Sequence, residues 1–146
     1  MVRLVVAWLN EWWGMRVLIV ESSADLSGVW ARHLERQGAE VFVLADADAA
    51  IDWLRTETVD VVVANLIQTS GSALALADVT ALRSPGTSVV FVTDTSFFSD
   101  GSIFSITSNA RALLQSDTKP EDLAEMVLHY ASAPPHMASE PTAAAN

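Results

Sequence analysis

Four short polar groups carry the chemistry this sequence could perform: Glu21-Ser22-Ser23, Asn65, Thr93-Asp94 and Gln115-Ser116-Asp117, each directly behind an apolar run. Carboxylates such as Glu21 are the side chains a hard cation needs. Asp94 and Asp100 could supply further metal ligands, but Asp94 opens a loop and reads as solvated. Ser22 and Ser23 stand before a helical pattern with no base beside them in sequence, so they read as N-caps rather than nucleophiles. His33, His129 and His136 share no ligand spacing, and His33 lies on an apolar helical stripe where it reads as a packing residue. The chain has no cysteine, which excludes thiol catalysis, a disulfide framework and zinc sites with Cys ligands. It has neither a Gly-x-Gly-x-x-Gly nor a Walker loop, so nucleotide binding is unsupported.

The elements that must position these groups follow from periodicity. Near-continuous apolar runs at 17–20, 41–44, 59–64, 89–92 and 112–114 are the pattern of strands buried on both faces of a parallel sheet. The last run is weak in β propensity and is read from context. Between them, Leu26, Val29, Trp30, His33 and Leu34 mark a helix that Ser23 caps and Gly38 stops. Ala47, Ala50, Ile51 and Leu54 mark a second; Leu74, Leu76, Ala77, Val79 and Leu82 a third. Leu123, Met126, Val127 and Tyr130 mark the last, with Thr118 and Glu121 as a capping box around Pro120. Strand–helix alternation predicts an α/β, flavodoxin-like, doubly wound five-stranded parallel sheet with about five helices on both faces. The polar groups then converge at the carboxyl ends of the strands.

The chain is 146 residues with 51% hydrophobic residues, which fits one globular domain. Eight basic residues against 18 acidic ones leave a net charge of −10. That charge argues against nucleic acid and anionic membrane as partners. The apolar run at 2–9 is interrupted by Arg3 and is far short of the roughly 20 residues of a membrane span. With no cleavage site behind it, the protein is expected to be cytoplasmic. Residues 1–14, with three tryptophans, read as an N-terminal extension: either a leader before a true start at Met15, or an added strand or helix. Residues 15–131 read as the domain and 132–146, rich in Ala, Pro and Ser, as a disordered tail.

Segments 16–26 (RVLIVESSADL), 32–41 (RHLERQGAEV) and 60–66 (DVVVANL), followed by Gly71-Ser-Ala-Leu, resemble the receiver (CheY-like) domain of bacterial two-component response regulators. The resemblance spans nearly all of 15–131 and implies strand order 2-1-3-4-5. In that family an Asp after strand three accepts a phosphoryl group, and acidic residues after strand one help to hold Mg²⁺. A Ser/Thr after strand four and a Lys after strand five bind the phosphoryl oxygens. Carried over, Asn65 stands at the acceptor position. Glu21 keeps the first acidic position and Ser22 replaces the second. Thr93 matches the hydroxyl, and Ser116 takes the place of the Lys, with Lys119 about one turn too late. The aromatic position on strand five falls on Leu113. The resemblance therefore implies a degenerate phosphorylation pocket of Glu21, Ser22, Asn65, Thr93 and Ser116. No metal is expected, Glu21 being at most a weak Mg²⁺ ligand, and no cofactor. Asn65 is expected to hydrogen-bond Thr93 or Ser116.

The loop after strand four carries Phe97, Phe98, Ile103 and Phe104 around Asp100-Gly101. In receivers the output surface borders this loop, so these four residues with Leu113 are the candidate partner surface, unless the rings fold over the pocket as core. The expected function is a stand-alone pseudo-receiver, not an enzyme, acting by phosphorylation-independent protein–protein interaction. Its partner is a histidine kinase, a regulator or another signalling protein, and a homodimer stays open. Two alternatives stay open as well: phosphotransfer at a non-standard carboxylate, Glu21 or Asp94, and a flavodoxin-like small-molecule binder.

Overall fold

The runs of Val, Ile and Leu form strands, and the 3.6-period stretches form helices, in a computed structural model that describes residues 14–94 and 109–132. The order is β1 (Arg16–Val20), α1 (Ala24–Arg36), β2 (Glu40–Leu44), α2 (Ala47–Trp53), β3 (Val61–Asn65), α3 (Ala73–Arg83), β4 (Ser88–Thr93), β5 (Ala110–Gln115) and α4 (Pro120–Ser132). All pairs are parallel, and the sheet order is β2-β1-β3-β4-β5. This is the doubly wound, flavodoxin-like architecture expected, with four helices among the described residues. The N-terminal extension up to residue 13, the tail from 133 and the Phe-rich loop lie outside them.

Side-chain alternation splits the core into two layers. Val17, Ile19, Val61, Val63, Val90 and Val92 face α1 and α4, where Trp30, Leu34, Leu123 and Val127 meet them. Leu18, Val20, Val62, Ala64, Val89 and Phe91 face α2 and α3, against Ala47, Ala50, Leu76 and Ala77. Burial on both faces is why these strands lack an apolar–polar alternation. α1 is capped as expected: Ser23 Oγ accepts from the Leu26 N–H at 3.3 Å. At its other end Gly38 takes φ 97°. The Gly38 N–H donates to Glu35 O and the Ala39 N–H to Leu34 O, the paired bonds of a Schellman close, which needs a residue tolerant of positive φ.

Several expectations change. β2 is only half covered, because it is the sheet edge and its Val43 is 44% exposed. β3 starts at Val61, leaving Val59 before it. Leu82 is 84% exposed, since α3 buries Ala73, Leu76, Ala77 and Thr80 instead. α4 buries Leu128 where Met126 was expected. Its first backbone bond runs from the Leu123 N–H to Lys119 O, and Glu121 faces His33 at 3.7 Å, so the expected Thr118–Glu121 box is not what starts it. β5 carries a bulge: Val89 pairs with Ala110 and Val90 with Ala112, which leaves Arg111 as the extra residue. Burial lowers the Arg111 pKa from its ordinary value.

Candidate functional site

The carboxyl ends of β1, β3, β4 and β5 come together as the topology requires. Val20 pairs with Ala64, so the next residues, Glu21 and Asn65, stand side by side although 44 positions apart in sequence. Asn65 Nδ2 donates to Glu21 Oε1 at 2.7 Å. The Ser23 N–H donates to the other carboxylate oxygen at 2.8 Å. Asn65 Oδ1 accepts from the Ile67 N–H at 2.9 Å. This amide orientation is the one that satisfies all three bonds; the flipped amide would set oxygen against carboxylate and NH₂ against N–H. Asn65 therefore bonds Glu21 and Ile67, correcting the expectation of Thr93 or Ser116.

Glu21 is 5% exposed, a burial that would be costly for an unpaired carboxylate. Here each carboxylate oxygen accepts a charge-assisted bond, each contributing about 1.5–3 kcal/mol. Ser22 is exposed and Ser23 is the helix cap. Thr93 is fully buried, and its carbonyl accepts from the Ser116 N–H at 2.8 Å. Its register partner on β5 is Gln115, so the last strand residue beside the hydroxyl is an exposed amide, with the half-buried Ser116 next. Lys119 is exposed at the foot of α4, with Ser116, Asp117 and Thr118 between it and β5. Asp94 is exposed.

Of the partner-surface candidates, Phe97, Phe98, Ile103 and Phe104 lie outside the described residues, as does Asp100. Leu113 is described and packs half-buried against the layer of α2 and α3. His33 is half-buried, its Nδ1 3.0 Å from Val29 O. Sequence reading missed Gln68, whose Nε2 donates to Asn65 O at 2.5 Å; no spacing rule marks a loop amide that folds back on a strand end. The same loop borders an open groove of about 320 Å³ lined by Leu66, Gln68, Gly71 and Leu74, with the exposed Ile67 at its rim. It is tied down by Asp48 of α2, whose carboxylate accepts from Ser70 Oγ at 2.5 Å.

This donor set does not suit Mg²⁺, which demands oxygen ligands in near-octahedral geometry. Both Glu21 oxygens and the Asn65 oxygen already accept N–H bonds. Among the described residues no group of three or more His, Cys, Asp or Glu could hold a metal ion, and no helix is long and apolar enough to cross a membrane.

No family model matches the sequence, and no curated protein does. Solved structures do. A CheY-like receiver domain from Methanospirillum hungatei superposes with a TM-score of 0.74 at 21% identity, covering 87% of this chain and 98% of that one. A Thermotoga maritima response regulator, solved with Mg²⁺ and a beryllium fluoride group, gives 0.69 at 16%, covering 80% and 98%. The receiver domain of a Pseudomonas aeruginosa sensor histidine kinase, solved with magnesium in its active-site cleft, gives 0.70 at 14%, covering 81% and 98%. At these identities the likeness establishes the fold, which is the one these receiver domains share.

Proposed function

We propose that this chain is a pseudo-receiver: a receiver-fold signalling module of the two-component type that is not an enzyme and acts through protein–protein contact without phosphorylation. The 2.7 Å bond from Asn65 Nδ2 to Glu21 Oε1 carries the reading. An amide is not a nucleophile for a phosphoryl group, and this one also engages the carboxylate that would hold the metal. Loss of the acceptor carboxylate and of the strand-five lysine is mutually consistent, since either charge alone would be buried without its partner. The partner is a histidine kinase, a regulator or another signalling protein in the cytoplasm. The net charge of −10 favours a basic surface on it.

Intact-mass spectrometry after incubation with Mg²⁺ and acetyl phosphate tests this. The expected mass is unchanged. One added phosphoryl group, lost on mild base treatment as an acyl phosphate would be, overturns the reading and assigns the acceptor to Glu21 or to the exposed Asp94.

A further inference from the structure

β2 has no neighbour on its outer side among the described residues. On its inner side the Glu40 N–H donates to Met15 O at 2.8 Å, and Leu44 O accepts from the Glu21 N–H at 3.0 Å. Alternation along the ladder then turns the N–H and C=O groups of Val41 and Val43 outward. The strand reads Glu-Val-Phe-Val-Leu, with none of the lysine, proline or bulge that usually blunts an edge. Both of its rims are apolar. Val41 packs on the layer of α1 and α4, and Val43, on the same side of the strand, is exposed. Phe42 and Leu44 pack on the opposite layer, where the Trp53 ring lies 5.0 Å from that of Phe42.

Both ends of this strand are acidic. At its start Arg16 meets three carboxylates: its Nε lies 3.4 Å from Glu40 Oε1, its Nη2 3.2 Å from Glu57 Oε1, and its backbone N–H donates to Asp60 Oδ2 at 2.7 Å. One positive charge leaves that end negative. At the other end Asp46 accepts from the Ala49 N–H and Asp48 from Ser70 Oγ, and neither has a cationic partner among the described residues. We propose that the outer edge of β2 takes up an extended segment of a partner protein as an added strand, one with a short core of β-branched residues and a lysine or arginine at each end. The outward N–H and C=O groups of Val41 and Val43 bond its main chain, and the acidic ends select its charges. A second copy of this chain fits poorly. Antiparallel pairing sets the Glu40 end of one against the Asp46 end of the other, acid against acid, between chains that each carry a net charge of −10. The proposal rests on the reading of this chain as a module that works by protein contact. The two fail separately, because acetyl phosphate plays no part in the test below.

Residue-resolved amide hydrogen exchange on the full chain tests this with a capped synthetic peptide, Lys-Val-Thr-Val-Thr-Val-Lys, and its counterpart carrying Glu in place of both Lys. At saturating Lys peptide the Val41 and Val43 amides are expected to exchange about threefold or more slowly than in the free chain. The Glu peptide is expected to leave them unchanged, and added salt to weaken the Lys peptide. Phe42 and Leu44, bonded inward to β1, stay protected throughout and report that the domain is folded. A Val43→Pro variant removes one outward N–H and keeps the inward bonds, and in it the Lys peptide is expected to leave Val41 unprotected. No slowing by the Lys peptide in the parent overturns the proposal. Equal slowing by the two peptides also overturns it, because the acidic ends then select nothing. So does slow exchange at Val41 and Val43 in the free chain: if it fades on dilution the edge belongs to a second copy, and if it persists the edge is already covered.

Discussion

Replacing Asn65 by Asp turns a hydrogen bond into a collision of charges, and its size follows from the geometry. The amide nitrogen lies 2.7 Å from Glu21 Oε1, and Glu21 is 5% exposed, so solvent screens the pair poorly. Two unit charges about 3 Å apart repel by about 5 kcal/mol at an effective dielectric near 20. The pair escapes part of this by keeping one proton. Holding a carboxyl protonated at pH 7, about three units above its ordinary value, costs about 4 kcal/mol, and that is the expected loss. The sign with pH is definite. The introduced carboxyl binds its proton more tightly folded than unfolded, so the variant equals the parent below about pH 4 and loses stability as pH rises towards 7. For a domain of this size the loss lowers Tm by roughly 10–15 °C at neutral pH. Thermal melts from pH 4 to pH 8 measure it. Mg²⁺ is expected to recover little, because Ser22 adds no charge and is exposed. Acetyl phosphate is expected to leave the variant unmodified. A melting point equal to the parent's at pH 7 would refute the claim that Asn65 holds Glu21. Robust phosphorylation would sink the pseudo-receiver reading.

Gly71→Ala places a Cβ 2.5 Å from Asp48 Oδ1 at φ +84°, and is expected to cost about 2 kcal/mol or more in a denaturant melt. In an Asp48→Ala background the same change should cost less, though not nothing, since the Asp48 backbone nitrogen also lies 3.0 Å away. Glu21→Gln sets an introduced NH₂ group against either the Ser23 N–H or the Asn65 amide, and a loss of about 1–3 kcal/mol is expected by the same assay.

The strands were readable because burial on both faces leaves little room for polar residues, and Val17 to Val20 or Val61 to Ala64 carry that signature. The same signature misled at β2. An apolar run does not say whether a strand lies in the middle of a sheet or at its edge, and only the order of pairing makes Val43 a rim residue. Helix phase was legible in α1, where Trp30 and Leu34 are the buried stripe. It was less so where apolar residues outnumber the buried positions. Leu82 fits the spacing but hangs past the sheet, and Leu128 displaces Met126. Glu21 and Asn65 were identifiable as strand-end residues, yet their contact was not. It depends on the register that sets Val20 beside Ala64, which local sequence does not encode. Gln68 left no sequence signal.

Glu21 and Asn65 act as one unit, and exchanging them tests that directly. Three bonds define the unit: the Ser23 N–H and Asn65 Nδ2 to the two Glu21 oxygens, and the Ile67 N–H to Asn65 Oδ1. Each single substitution breaks the match of donors to acceptors, one by setting two donors face to face and the other by setting two carboxylates together. The double variant Glu21→Gln/Asn65→Asp restores it. At position 21 the introduced amide accepts from the Ser23 N–H with its oxygen and donates across with its nitrogen. At position 65 the introduced carboxylate accepts that donation with one oxygen and the Ile67 N–H with the other. Bond count, charge and volume all match the parent. The double variant is therefore expected to melt within a few degrees of the parent and without the pH dependence of Asn65→Asp. With single losses of about 4 and about 1–3 kcal/mol and little net loss in the double variant, the coupling in the double-mutant cycle is expected at about 4–6 kcal/mol, above the usual range. Additive losses would mean that the two side chains are held by their own surroundings rather than by each other. The carboxylate at position 21 would then be free to meet a cation, and the case for a pocket closed from within would fail.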